Sequence, residues 1–353
     1  MNLSDFDTHK NIPATVQSAI QHSVPATLQV NASPGLSVTI QSDAQATIRA
    51  GYQELNGLLK GNVYHNEPMS RHTSYRIGGP VGLYLECASL RDLSSSFEVL
   101  RRYGIPWAVL GKGSNILVAD QGWPGAILTF TGQFRKFNFP DRDSENNLVV
   151  AGSGVMLSSL VQAAFKGGFS GFEFAVGIPG TLGGALAMNA GTSKEWIGQI
   201  VHALTVYRPD HGLRRIARNQ LEWGYRTSSL LLEDIIVEAE LQVTPGHIGQ
   251  IRAKMEASLS RRKRTQPLTK PSAGSVFKNP PGEHAAQLIE NVGLKGFSIG
   301  AAEVSSVHAN FIVNNGSATA ADVLAIILEI EHRVKDSYGL ELQTEIRFIG
   351  FDA

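Results

Sequence analysis

The sequence predicts an α/β or α+β fold built from two or three domains. The chain has 353 residues, more than a typical single domain. From Gly51 onward, short apolar runs that read as strands alternate with segments of helical spacing. Hydrophobic residues make up 42% of the chain and charged residues 18%, enough apolar material for a large core.

Residues 1 to about 50 differ in kind from the rest. They are rich in Ser, Ala, Gln and Thr, and "LSVTIQ" alternates weakly. A hairpin around Ser33-Pro34-Gly35 or a mobile extension is expected, with no chemistry in it. After Gly51, "DLSSSFEVLRRYG" puts Leu93, Phe97 and Leu100 on one helical face and stops at Gly104. "WAVLG", "AILTF" and "NLVVAGSG" read as strands. "MLSSLVQAAFKGG" then aligns Leu157, Leu160, Val161, Ala164 and Phe165 before Gly167-Gly168. "LTVYRP", "LEWGYR" and "DIIVEAELQV" extend the strand content to about residue 243, and "TPG" at 244–246 marks a boundary. The next helix carries Ile251, Met255 and Leu259 on one face and ends before Pro267. Thr319 and Asp322 form the outline of a capping box. The helix they open carries Val323, Ile327, Ile330 and Val334 on one stripe, and the strand-like "LQTEIRFIG" closes the chain.

Lys+Arg and Asp+Glu both total 31, so bulk charge gives no case for nucleic acid or an anionic membrane. The lone Cys87 excludes an intramolecular disulfide and any cysteine-built metal site; in "LYLECAS" it reads as a small core residue. The histidines show no ligand-spaced pair, and no metal is expected. The first residues lack the pattern of a signal peptide and no window is apolar enough for a spanning helix. The expectation is a soluble cytoplasmic protein.

Three stretches invite chemistry. "GIPGTLGGALAMNAG", Gly177 to Gly191, holds five glycines and no charge in fifteen residues. Glycine weakens element interiors by about 0.5–1 kcal/mol relative to alanine, so something must need close approach to this backbone. "VLGKGSNILVAD" (109–120) is a second glycine turn whose amides, with Ser114 and Asn115, can form an anion nest. It is neither a Walker loop, because Gly113 follows Gly-Lys, nor a dinucleotide fingerprint, because Ile116 stands at the third glycine position. Taken alone, the 109–120 loop reads more simply as only a turn and the 177–191 stretch equally well as a packed strand–turn–helix junction; together they favour a dinucleotide cofactor. The third stretch, "PSAGSVFKNPPG", places Ser275 among small residues ahead of Lys278 and Asn279. With no base nearby, its hydroxyl suits proton donation to a carbanion or enolate. Arg226 in "GYRTS" is a fork for a carboxylate or enolate. Glu345 in an apolar strand reads most simply as facing solvent or pairing with Arg347, and Arg261–Arg264 as cations closing a helix.

The stretches "RHTSYRIGGP", "GKGSNILVAD", "GFEFAVGIPGTLGGALAMNAG", "GYRTSSL", "AGSVFKNP", "AAQLIENVGLKGFSIGAAEVSSVHANFIVN" and "TEIRFIG" run in order from about residue 55 to 350. Together they resemble the UDP-N-acetylenolpyruvoylglucosamine reductase family. The chain is similar to the type II form, since no long insertion separates "GYRTSSL" from "DIIVEAEL". The resemblance implies an α+β, FAD-binding type-2 (PCMH/VAO-like) flavoprotein fold with a separate α/β substrate domain. Residues 1–50 would be an extension of unknown role, and 51–130 plus 335–353 a first FAD-binding subdomain. Residues 131–245 would be a second such subdomain and 246–334 the substrate domain.

The resemblance also implies the chemistry. NADPH reduces a non-covalent FAD and leaves, and UDP-N-acetylglucosamine enolpyruvate takes its place, to be reduced to UDP-N-acetylmuramate for peptidoglycan synthesis. The cofactor would lie against Gly111, Lys112, Gly113, Ser114 and Asn115, and against Gly177, Ile178, Pro179, Gly180, Thr181 and Gly184. Tyr75, Arg76 and Ile77 would help, as would Asn189, Ala190 and Gly191. Arg226 and a protonated Glu345 match the pair that stabilises the enolate, and Ser275 matches its proton donor. Tyr225, Lys278, Asn279 and His308 fall on the substrate side. Thr265 stands where many relatives carry Lys, which moves the expected diphosphate contact to Lys263 or Arg264. "TSKEW" after Gly191 also departs from the family pattern. A monomer is expected. An alcohol or sugar oxidase of the same cofactor fold, and a non-catalytic nucleotide-binding module, are the alternative readings.

Overall fold

The computed structural model describes residues 40–351. It opens with helix α1 (Ile40–Leu58), which buries Ile48 and Leu55 against the first core. A Cβ on Gly82 would lie 2.8 Å from Ile48 Cδ1, and one on Gly51 2.7 Å from Ile105 Cδ1, so glycines let the helix settle closely. Residues up to about 50 were expected to stand apart from the fold. Instead the helix runs through residue 50, and the spacing of Ile48, Tyr52 and Leu55 supplies its inward stripe. The expected turn at Ser33-Pro34-Gly35 lies outside the described residues. Leu55→Ala should destabilise the protein by about 2–5 kcal/mol. Chemical denaturation checks this, and an unchanged midpoint would show that α1 does not contribute to the core.

The first sheet combines β1 (Val63–Pro68), β2 (Pro80–Cys87), β3 (Trp107–Val109) and β5 (Trp123–Phe130) in the order β1-β2-β5-β3. β2, β5 and β3 are parallel, and β4 (Ile116–Val118) stands outside this sheet. Helix α2 (Leu90–Arg102) starts where Ser89 accepts the Asp92 amide, and it buries Leu93, Phe97 and Leu100 as its spacing predicts.

The second core is built on an antiparallel sheet. It contains β6 (Phe137–Asn138), β7 (Leu148–Gly152), β9 (Val201–Arg208), β10 (Gly212–Ala217) and β13 (Ile235–Gln242), in the order β10-β9-β13-β7-β6. Short strands β8 (Phe169–Ser170) and β14 (Thr244–Pro245) pair with each other, as do β11 (Trp223–Gly224) and β12 (Thr227–Ser228). Helices α3 (Leu157–Gly167) and α4 (Leu182–Ala187) pack on this core. Helix α5 (Ile248–Thr265) buries Ile251 and joins them through Met255 and Leu259. Tyr207, Ile235 and Val237 reach into the first core, where Tyr207 stacks on Phe97 at 5.9 Å.

The third core gathers α6 (Ala285–Asn291), α7 (Ala320–Tyr338) and the small sheet β15 (Ser298–Ile299), β16 (Ala302–Val304), β17 (Ile312–Asn314). The α7 capping box is formed: the Asp322 amide donates to Thr319 Oγ1 at 3.0 Å and the Thr319 amide to Asp322 Oδ2 at 3.0 Å. Asp120, just after β4, takes two further amides of that helix end, from Ala320 at 2.8 Å and Ala321 at 3.0 Å. The last strand, β18 (Arg347–Ile349), runs parallel to β4, which brings the end of the chain back beside the segment that follows β3. No helix among the described residues is long and apolar enough to cross a membrane.

Candidate active site

The two glycine loops face each other where the first two cores meet. Loop 111–115 leads into β4, and loop 177–181 leads into α4. Ser114 Oγ donates to Pro179 O at 3.3 Å. A Cβ on Gly111 would collide with Thr181 Oγ1, and one on Gly113, at φ +64°, with the His72 carbonyl oxygen. Part of what approaches this backbone is therefore the protein itself. Gly180 and Gly184 differ. Gly180 holds φ +127°, which L side chains rarely adopt, and meets only Ser114 Oγ at 3.3 Å; a Cβ on Gly184 would meet only Thr181 Oγ1, at 3.6 Å. Among the described residues, the amides of Gly111 to Ser114 and of Gly180 and Thr181 donate to no protein acceptor. Free amides on two facing loops, beside the exposed Gly184, fit a diphosphate-bearing cofactor.

Backbone strain collects in the same place. Among the described residues four that are not glycine have positive φ, and three are Arg76 (57°), Asn189 (42°) and Arg226 (58°). Such conformations persist where the surroundings over-determine them. For Asn189 the surroundings are visible: Nδ2 donates to Gly224 O at 2.7 Å and Oδ1 accepts from the Gly198 amide at 3.1 Å. This buried amide ties the end of α4 to the β11–β12 hairpin, so its side chain supports the loop rather than being free for a ligand. The side chains of Tyr75 and Ile77 are buried in the third core, which leaves their backbone for any cofactor contact; the Tyr75 hydroxyl has no partner among the described residues and is pushed by burial well above its ordinary pKa. Of that trio only Arg76 is exposed. Lys112, Gly177 and Pro179 are exposed, Ile178 and Ala190 partly buried against the second core.

The β11–β12 hairpin presents Tyr225 and Arg226 at its turn. Arg226 Nε donates to Glu345 Oε1 at 2.6 Å, across 119 residues of sequence, and its terminal nitrogens lie 3.5 Å from Gly191 O. The Tyr225 ring sits 5.3 Å below the same guanidinium. Glu345 thus pairs with Arg226 and not with Arg347, and does not face solvent: its side chain is 12% exposed. Burial raises its pKa above the ordinary carboxylate value, while Arg226 and Lys278 pull it down.

Ser275 is brought near this pair because the segment that follows it, from Val276 to Lys278, pairs with the backbone of 343–345 just before β18. The Glu345 amide donates to Val276 O at 2.7 Å and the Lys278 amide to Gln343 O at 2.8 Å. The Asn279 amide lies 3.4 Å from the Tyr225 hydroxyl oxygen, while Asn279 Oδ1 accepts the Ala285 amide that opens α6. His308 is not joined to the Arg226–Glu345 pair or Ser275 by any hydrogen bond among the described residues. Its Nδ1 accepts the Asn310 amide at 3.3 Å, its ring meets Phe311 at 4.9 Å, and burial lowers its pKa.

Lys263 and Arg264 are exposed; the cation of that run that turns inward is Arg262. A Cβ on Gly177 would lie 3.1 Å from its Cδ, and its Nε is buried without a partner among the described residues. Burial, with Arg261 and Arg226 nearby, lowers its pKa. The signal was present in the sequence: residues 255, 259 and 262 share one helical face.

Residues 81–216 match the family model of an FAD binding domain, so the class defined by fold and site is an FAD-dependent flavoprotein. Residues 266–349 match the C-terminal domain model of UDP-N-acetylenolpyruvoylglucosamine reductase. Enzymes of that name from Heliobacterium modesticaldum and Moorella thermoacetica are 44% and 43% identical, over 83% and 84% of this chain and 92% and 96% of theirs. The crystal structure of the Thermus caldophilus enzyme superposes with a TM-score of 0.70 at 32% identity, covering 82% of this chain and 99% of that one. The chain belongs to the UDP-N-acetylenolpyruvoylglucosamine reductase family.

Proposed function

We propose that the protein uses NADPH and bound FAD to reduce UDP-N-acetylglucosamine enolpyruvate to UDP-N-acetylmuramate. The observation that carries this reading is the Arg226–Glu345 contact, held beside Ser275. When bound, FAD supplies hydride, taken from NADPH and given to the terminal enol carbon. The amides of loops 111–115 and 180–181 would hold its diphosphate. Arg226 and a protonated Glu345 bind the substrate carboxylate and stabilise the enolate charge that develops there. Ser275 Oγ gives its proton to the carbon that bears the ether oxygen. Lys278 and Arg262 add positive charge towards the anionic substrate, and Tyr225 covers the guanidinium. All these groups come from one chain, so the reading needs no partner subunit, and it is compatible with a monomer that works on nucleotides in the cytoplasm. Anaerobic titration tests it. NADPH should bleach the flavin band and the enolpyruvyl substrate should restore it, and a protein that no substrate reoxidises refutes the reading.

The cradle has its own test. Gly184 has room for a larger side chain within the protein, so Gly184→Val should fold and yet lose FAD, its branched side chain occupying the cofactor's space. Purified apoprotein with an unchanged circular dichroism spectrum is the expected outcome; full FAD loading would place the cofactor elsewhere.

A further inference from the structure

Asn310, between β16 and β17, is 3% exposed and holds the strand that carries Ser275. Its Nδ2 donates to Phe277 O at 2.8 Å and its Oδ1 accepts from the Phe277 amide at 2.9 Å. Its own carbonyl takes the Val276 amide at 2.9 Å. The side-chain amide thus offers Phe277 the donor and acceptor that a neighbouring strand would offer. On the opposite edge the same segment meets the strand of Glu345, through Val276 O and the Lys278 amide. Ser275 Oγ makes no hydrogen bond among the described residues, so the backbone that follows sets its place.

We propose that Asn310 is a positioning residue that fixes Ser275 relative to Glu345 by clamping Phe277 from the side away from Glu345. The proposal rests on the role given above to Ser275. Leaving buried amide and carbonyl groups of Phe277 unpaired is unfavourable, so without the clamp the segment relaxes and Ser275 Oγ shifts. A shift of about 1 Å can slow a step by about 10²-fold.

Asn310→Asp keeps the shape but cannot donate from an ionised carboxylate; Asn310→Ala removes both bonds. In at least one of them FAD loading and flavin reduction by NADPH should be unchanged, while reoxidation by the enolpyruvyl substrate slows by about 10²-fold. Adding that change to Ser275→Ala should slow reoxidation no further, because the two act through one group. In the resting protein, deuterium uptake by a peptide spanning 273–279 should rise with the unfolding midpoint little changed. Equal slowing of both half-reactions, additivity with Ser275→Ala, unchanged uptake, or failure of both variants to fold overturns the proposal. Wild-type protein that the substrate cannot reoxidise would instead sink the function proposed above, a result separate from the uptake measurement.

Discussion

Ser275→Ala is expected to leave flavin reduction by NADPH at its normal rate and to slow reoxidation by the enolpyruvyl substrate by about 10²–10⁴-fold, the range of a positioned acid. The split follows from where the hydroxyl stands. It lies on the segment hydrogen-bonded to the Glu345 backbone, next to the residue whose carbonyl takes the Glu345 amide, and the proposed reaction uses it only at the substrate carbon. Reduction by NADPH calls for no proton at that carbon, and replacing a partly exposed serine leaves no buried polar group unpaired. The slowing exceeds the range of a simple acid if the hydride step reverses before a proton arrives. Stopped-flow spectra of each half-reaction decide the matter. Equal impairment of the two would make Ser275 a residue that shapes the site rather than its acid.

Periodicity made the elements legible where one face is buried. Leu93, Phe97 and Leu100 are on the inward face of α2, and Val323, Ile327, Ile330 and Val334 on that of α7, as their spacing predicts. Helix α6 and strands β15 to β17 left no clear trace, because elements this short show less than two periods of any pattern. The site was legible as residue types but not as partners. Nothing local distinguishes Glu345 paired with Arg226 from Glu345 paired with Arg347, since the contact spans 119 residues. Asn189 and Asn310 illustrate the same limit. Both sit in motifs that mark the family, yet their side chains are committed to backbone groups 35 and 33 residues away. The glycine loops left a packed turn and room for a ligand both open, and the contacts that divide the two, Gly111 with Thr181 and Gly113 with His72, are not local in sequence.

Glu345 and Arg226 carry the second large effect. Glu345→Ala should slow reoxidation by about 10²–10³-fold, as loss of one donor to a developing oxyanion does, whereas Glu345→Gln should be milder because an amide still donates. Burial raises the Glu345 pKa against the opposing pull of Arg226 and then Lys278, so the carboxyl keeps its proton to higher pH than an exposed glutamate would. As pH rises through that raised pKa, the donor is lost and a negative charge appears beside the developing one. Reoxidation should therefore fall on the alkaline side. The Gln variant, with no proton to lose, should lack that limb. Arg226→Ala removes the larger of the charges pulling the pKa down, which should move the limb to still higher pH while the rate itself drops. Arg226→Lys restores the charge but not the planar fork that donates to the Glu345 carboxylate at 2.6 Å, so the limb should return towards its original position with the rate still low. A pH series of single-turnover reoxidation in the four variants tests this. An alkaline limb that survives unchanged in Glu345→Gln would assign it to another group and leave Glu345 as a support for Arg226.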